Sequence, residues 1–162
     1  MHLAYTAWAS RRLVDAVAHL SPEELNRDFQ TADHSALGTL VHVFAADRIW
    51  LARVTGAAAP RQFISEADHS LAVLQNDWPA LLDKWQQWAQ SITDESARES
   101  VTYKDTQGNA FSRPLWQLIL HVVNHGTHHR GQVSGFLRAM GQTPPQLDLT
   151  AYYREQEKAA HG

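Results

Sequence analysis

The sequence predicts an all-α four-helix bundle, on three observations. Four long segments carry apolar residues at helical period, capping residues with glycine and proline punctuate them, and one short stretch alternates like a strand. The 162 residues suffice to bury one sizeable core. No repeat, low-complexity tract or second composition interrupts them, so residues 1–162 are expected to form a single domain. The first helix is expected from about Leu3 to Leu20, burying Ala7, Trp8, Val14, Val17 and Ala18. Ser21-Pro22-Glu23-Glu24 starts a short helical turn: Ser21 suits the N-cap, Pro22 the first position, and Glu24 a reciprocal capping box. A loop through Asp33 and His34 leads to Ser35, the N-cap of a second long helix from Ala36 to about Thr55, which a left-handed Gly56 ends. Leu37, Leu40, Val41, Phe44, Ile49 and Trp50 surround most of that helix, which predicts burial against several neighbours.

A linker of roughly ten residues begins at Ala57-Ala58-Ala59-Pro60. The third helix spans about Asp68 to Ile92, with Leu71, Leu74, Trp78, Leu81 and Trp85 at three- and four-residue steps. Pro79 is expected to kink it or to make it restart from Asp77. Residues 100–112 alternate about a Gln107-Gly108-Asn109 turn and predict a short β-hairpin. The last long helix opens near Pro114 and runs to Met140, with Gly141 as its stop. A polar tail from about residue 149 is expected to add one exposed helix over Tyr152 to Ala160.

Composition excludes several functions. Fourteen Lys+Arg against seventeen Asp+Glu give a net charge of −3, without the basic stripe of an electrostatic nucleic-acid binder. With no Cys, disulfides, thiolate nucleophiles, iron–sulfur clusters and Cys-ligated zinc are all ruled out. No apolar run approaches the roughly 18 residues of a membrane span, and no basic segment with an apolar sequel opens the chain. A soluble, cytoplasmic protein without nucleic-acid or membrane partners is expected. Six Trp suit a packed core, and ten His lead to the chemistry.

The densest chemistry lies in His121-Val-Val-Asn124-His125-Gly-Thr-His128-His129-Arg130-Gly131-Gln132. Histidines four apart share a helix face and can grip one ion, yet chance alone gives about 0.6 such pairs in so His-rich a chain. Direction says more. Leu115, Leu118, Ile119, Val122, Val133, Phe136, Leu137 and Met140 form one stripe; His129 falls near its centre and His125 about 40° round, on its edge. Two inward imidazoles resist protonation and need partners, which either a divalent cation or hydrogen bonds within the core would supply. His42, mid-helix among Leu40, Val41, Phe44 and Ala45, is the candidate third ligand; its other reading is a core histidine bonded to a carbonyl. His34 and His69 read as solvated, and His2, His19 and His161 as surface residues.

These residues resemble the DinB-like proteins, damage-inducible, metal-binding four-helix bundles related to the YfiT type. The resemblance covers nearly the whole chain: Tyr5-Thr-Ala-Trp8-Ala-Ser-Arg-Arg, Gly38-Thr-Leu-Val-His42-Val-Phe-Ala-Ala-Asp47-Arg48-Ile-Trp50-Leu-Ala-Arg53, the histidine run above, and Pro144-Pro-Gln-Leu-Asp148. It implies a long crossover between the second and third long helices, a homodimer, and His42, His125 and His129 as ligands of a divalent metal. Three neutral imidazoles leave such an ion its double charge and an open position, as in reactive zinc sites, and suit Zn²⁺ or Ni²⁺. Since relatives of this fold include transferases that use a low-molecular-weight thiol and thiol-dependent isomerases, the resemblance implies thiol S-transfer or metal-assisted hydrolysis of a small-molecule substrate. The alternative is a metal-stapled homodimer without catalysis, with the tryptophans and the apolar second helix at its interface. Induction by damage describes expression and implies no DNA ligand.

Four supporting expectations complete the site. Gln132, about 20° from His125 around the helix, either lines the pocket or sits at the edge of the buried face. Arg130 points away from the metal side, to a salt bridge with Asp47 or a partner chain, while Asn124 and His128 face outward with structural or interface roles. Asp148 anchors the segment after the last helix. No carboxylate stands beside the ligands on either helix, so the base of an H-E-x-x-H protease is missing.

Overall fold

The computed structural model describes residues 1–161. Helix α1 (His2–Val17) is followed by the one-turn α2 (Pro22–Leu25), α3 (Ala36–Thr55), α4 (Leu71–Ala89), a hairpin of β1 (Ser100–Lys104) and β2 (Ala110–Pro114), α5 (Leu115–Ala139) and α6 (Leu149–His161). The four long helices α1, α3, α4 and α5 make the bundle the sequence predicts, and a fifteen-residue crossover, residues 56–70, joins α3 to α4. That crossover contains one 3-10 turn, Glu66–Asp68. No described helix is long and apolar enough to cross a membrane.

Local chemistry sets the ends of these elements. Ser21 and Glu24 form the reciprocal capping box around Pro22. Ser35 Oγ accepts from the Gly38 N–H at 3.0 Å and starts α3, and Gly56 ends it at φ 70°. Leu13, Val17, Leu40, Val41, Val43, Leu74, Trp78 and Val133 are wholly buried where α1, α3, α4 and α5 meet. Apolar on nearly every side, α3 is in contact with the three other long helices and with β1. In the hairpin Tyr103 pairs with Phe111, their rings stacked at 5.9 Å.

Two elements depart from expectation. Helix α4 begins at Leu71 under a Ser70 cap and runs unbroken through Pro79, so no restart occurs at Asp77. A single residue of α3 holds both halves of α4: the Trp78 indole donates to the Asp47 carboxylate at 2.9 Å and the Trp85 indole to the Asp47 carbonyl at 3.1 Å. Those contacts tie the segments before and after Pro79 to the same residue of α3 despite the lost backbone bond. The tail helix α6 is docked rather than exposed all round. Tyr152 is buried against Tyr5 and Trp8 (centroids 5.9 and 5.5 Å), and Glu155 accepts from the Trp8 indole and from Arg12 at 2.7 and 2.8 Å.

Candidate metal centre

His42 projects from the middle of α3 and His125 and His129 from successive turns of α5, the pair of helices most extensively packed together. One ring nitrogen from each lies within 4.8 Å of the other two. Ring centroids are 5.0 Å apart for His42 and His125, 4.6 Å for His42 and His129, and 4.5 Å for His125 and His129. The two helices bring the three imidazoles singled out in the sequence to one point. His34, His69, His2, His19 and His161 are all exposed and stay outside this group.

His42 Nε2 and His125 Nε2 are 2.9 Å apart, a spacing that needs either one N–H between them or a cation shared by both lone pairs. On His129, Nδ1 is 2.7 Å from Gln132 Oε1, which can only accept, so Nδ1 carries the hydrogen and Nε2 the lone pair. The Asp33 carboxylate spans the Nδ1 sides of two rings, Oδ1 3.4 Å from His42 and Oδ2 3.7 Å from His129. That places acceptors behind the rings, the arrangement that orients imidazole ligands and raises their basicity toward an ion. Burial, followed by the nearby His129, His42, His121 and His128 rings, pushes the His125 pKa down to about 3. Burial also lowers His129, against the opposing pull of Gln132 and Asp33. The donor set is aligned and partly open, with 23% of the His42 side chain and 13% of the His129 side chain accessible.

Asp33 is the residue that sequence reasoning missed, because it comes from the loop before α3 and not from a ligand-bearing helix. Its one local signal is Gly38 in the first turn of α3. A Cβ there would collide with the Asp33 carbonyl oxygen, so only glycine admits this close approach. Arg48 was also overlooked as an organiser. It makes a two-pronged ion pair with Asp68 (2.9 and 3.0 Å) and donates to the Phe63 carbonyl at 3.1 Å. The crossover is thereby tied down, and the Phe63 ring stands edge-on to His42 at 5.5 Å. Arg48 first, then the Ser65 N–H and hydroxyl, hold the Asp68 carboxyl at about 2, outweighing its burial.

Gln132 sits behind His129 as its hydrogen-bond partner. Arg130 forms no salt bridge with Asp47. It is 2% exposed, crosses Gly126, donates to Ser10 (3.3 Å) and Thr127 (3.2 Å), and lies over the Tyr5 ring at 5.6 Å. Asp47 instead accepts from Trp78, and burial, only partly offset by that bond and by Arg130, raises its carboxyl to about 7. Asn124 and His128 are exposed, as expected. Asp148 precedes α6, where its carbonyl accepts from the Ala151 and Tyr152 N–H groups.

With this geometry in place, three comparisons bear on identity. The family model described as "DinB family" matches residues 1–160. The sequence is 23% identical to "Protein DinB" of Bacillus subtilis (strain 168) over 164 residues, covering 96% of this chain and 94% of that protein. A crystal structure of a DinB-like protein from Bacillus cereus ATCC 10987 superposes with a TM-score of 0.60 at 20% identity, over 88% of this chain and 91% of that one. At that identity the likeness is one of fold.

Proposed function

The chain belongs to the DinB family, and from that premise we propose that His42, His125 and His129 hold a divalent cation, Zn²⁺ or Ni²⁺, at the centre of a metal-dependent enzyme. The observation that carries the proposal is the convergence of three imidazoles, two of which, His42 and His129, have acceptors behind their outward nitrogens. When bound, the ion supplies Lewis acidity that makes a thiol or a water molecule more acidic and more nucleophilic near neutral pH. The protein's own groups do the rest. Gln132 fixes the His129 tautomer, Asp33 stands behind His42 and His129, and Phe63 screens one flank of His42 from water.

The reaction class that fits is thiol S-transfer, or hydrolysis assisted by the metal, on a small molecule. Donors from only three residues gather here, and Asp33 lies behind two of the rings, which favours a site with room for an outside ligand over a closed structural staple. The homodimer belongs to this proposal as well and is read from the mass in solution. The test is metal analysis of tag-free protein with thiol-conjugation and hydrolysis assays on electrophilic substrates. Wild type is expected to carry about one ion per chain and His129→Ala none. Full occupancy in that variant defeats the ligand assignment. A loaded protein that binds neither small thiols nor anions points instead to the stapled, non-catalytic dimer.

A further inference from the structure

Next to the imidazoles lies a cleft that the metal centre does not use. Past Gly56 the crossover folds back along the C-terminal half of α3, and the hairpin approaches the same stretch. Between them is a space of about 440 Å³, within the range of small-molecule sites. Arg53, Arg61 and Lys104 line it, with the rings of Phe63 and Tyr103. Its one carboxylate, Asp105, is occupied by the hairpin turn, accepting from the Gln107 and Asn109 N–H groups and the Asn109 amide at 2.8, 2.9 and 3.0 Å. Among the described residues, Arg61 and Lys104 have no carboxylate within 4.0 Å. The Arg53 guanidinium packs on Trp50 at 4.5 Å and Tyr103 at 5.1 Å and donates to the Lys104 carbonyl at 2.7 Å, so the cationic wall has a rigid base. In a chain of net charge −3, three cations against one ionised carboxylate leave this cleft a positive lining that suits an anion.

Packed rings link the walls of the cleft to the candidate centre in two places. Phe63 lines it and also touches His42. Trp50 packs on Tyr103 at 5.0 Å and on His121 at 4.9 Å, and His121 lies 5.8 Å from His125. We propose that this cleft is a recognition subsite for carboxylate groups: a substrate lays its carboxylates on Arg61 and Lys104 and its apolar body on Phe63 and Tyr103. Its reacting end then reaches the imidazoles. This assignment deepens the metal-enzyme reading and rests on it for the reacting end only.

The test uses the full, metal-loaded chain and S-methylglutathione, a dicarboxylate whose capped sulfur offers no thiolate, with its dimethyl ester as the neutralised control. Binding is followed by calorimetry and by intrinsic tryptophan fluorescence. Wild type is expected to bind the dicarboxylate at least tenfold more tightly than the diester. Arg61→Glu and Lys104→Glu should each weaken that binding about tenfold while leaving metal content and 2-mercaptoethanol binding unchanged. Both side chains are exposed and bonded to nothing in the fold, so the variants should keep the wild-type melting temperature. Equal affinity for diacid and diester, no binding by wild type, or charge reversals that change affinity less than twofold each overturn the proposal. Dicarboxylate binding that survives in His129→Ala supports the subsite independently. A wild-type chain that carries no metal but still discriminates diacid from diester sinks the metal reading and leaves the subsite standing.

Discussion

The His125 imidazole is held at about 3 by burial and by the rings around it, so at neutral pH its lone pair is available to a cation and not to a proton. Among the described residues, Gln132 is the one group within hydrogen-bond distance of His129 Nδ1, with the Asp33 carboxylate farther off at 3.7 Å. Gln132→Leu removes the acceptor at 2.7 Å and is expected to weaken metal affinity 10- to 100-fold while the melting temperature of metal-free protein moves little, as competition with a chelating dye would show. Gln132→Glu, which keeps an acceptor, should restore most of the loss. Asp47 carries a different charge problem. Its carboxyl is raised to about 7, above its ordinary 3.8, so the unfolded chain ionises first and folding becomes less favourable as pH rises between those values. That loss is absent below pH 4 and complete above pH 7, and amounts to on the order of 4 kcal/mol. Asp47→Asn keeps an acceptor for Trp78 and does not titrate. The stability of Asp47→Asn minus that of wild type should therefore grow across that window in urea melts, whatever fixed offset Arg130 contributes. A difference independent of pH would show that Asp47 is ionised throughout.

Among the elements, the crossover and the start of α3 decide whether the site is assembled. Arg48 fastens the crossover at Asp68 and at the Phe63 carbonyl. The Asp68 carboxyl is depressed to about 2, so its contribution is present above its ordinary 3.8 and is lost as pH falls toward 2. Arg48→Met should cost about 2 kcal/mol at pH 7, shrinking toward pH 2, because it leaves a largely buried carboxylate with only Ser65 as partner. Denaturant unfolding at the two pH values checks it. Gly38→Ala should instead push the Asp33 loop off the start of α3 and lower metal affinity, read by the same dye competition. The start of α4, expected at about Asp68, falls at Leu71 under the Ser70 cap. Other helix ends were legible in the sequence at Ser21 and Ser35, whose side chains cap them, and at the left-handed Gly56, because capping is local chemistry. Asp33 and Arg48 were not, since what places them is a loop path and a contact between distant segments. Nor was the unbroken course of α4 through Pro79, whose flanks are held by two indoles reaching one residue of another helix.

Across the whole molecule, the inward direction of His125 and His129 could be read from helical period, because a stripe of apolar neighbours defines the core side. His42 could be proposed but not placed by period alone, since an element apolar all round points at no single neighbour. Its position is a property of the bundle: His42 and His125 lie 83 residues apart in sequence and 2.9 Å apart in space. An ion at that point would tie α3 to α5 across a long stretch of chain, and its binding energy would add to the stability of the folded state alone. With free metal at a hundred times its dissociation constant, the gain is about 2.7 kcal/mol, which for a chain of this size is a rise of roughly 5–10 °C in melting temperature. Chelation should reverse the rise in wild type, and the shift should be missing in His129→Ala and His42→Ala. Removing His34 or His69 should leave it intact, since neither belongs to the cluster. Calorimetric scans of these proteins with Zn²⁺ and with a chelator measure the difference directly. An equal shift in His42→Ala would mean that α3 contributes no ligand and that the ion, if any, is held by α5 alone.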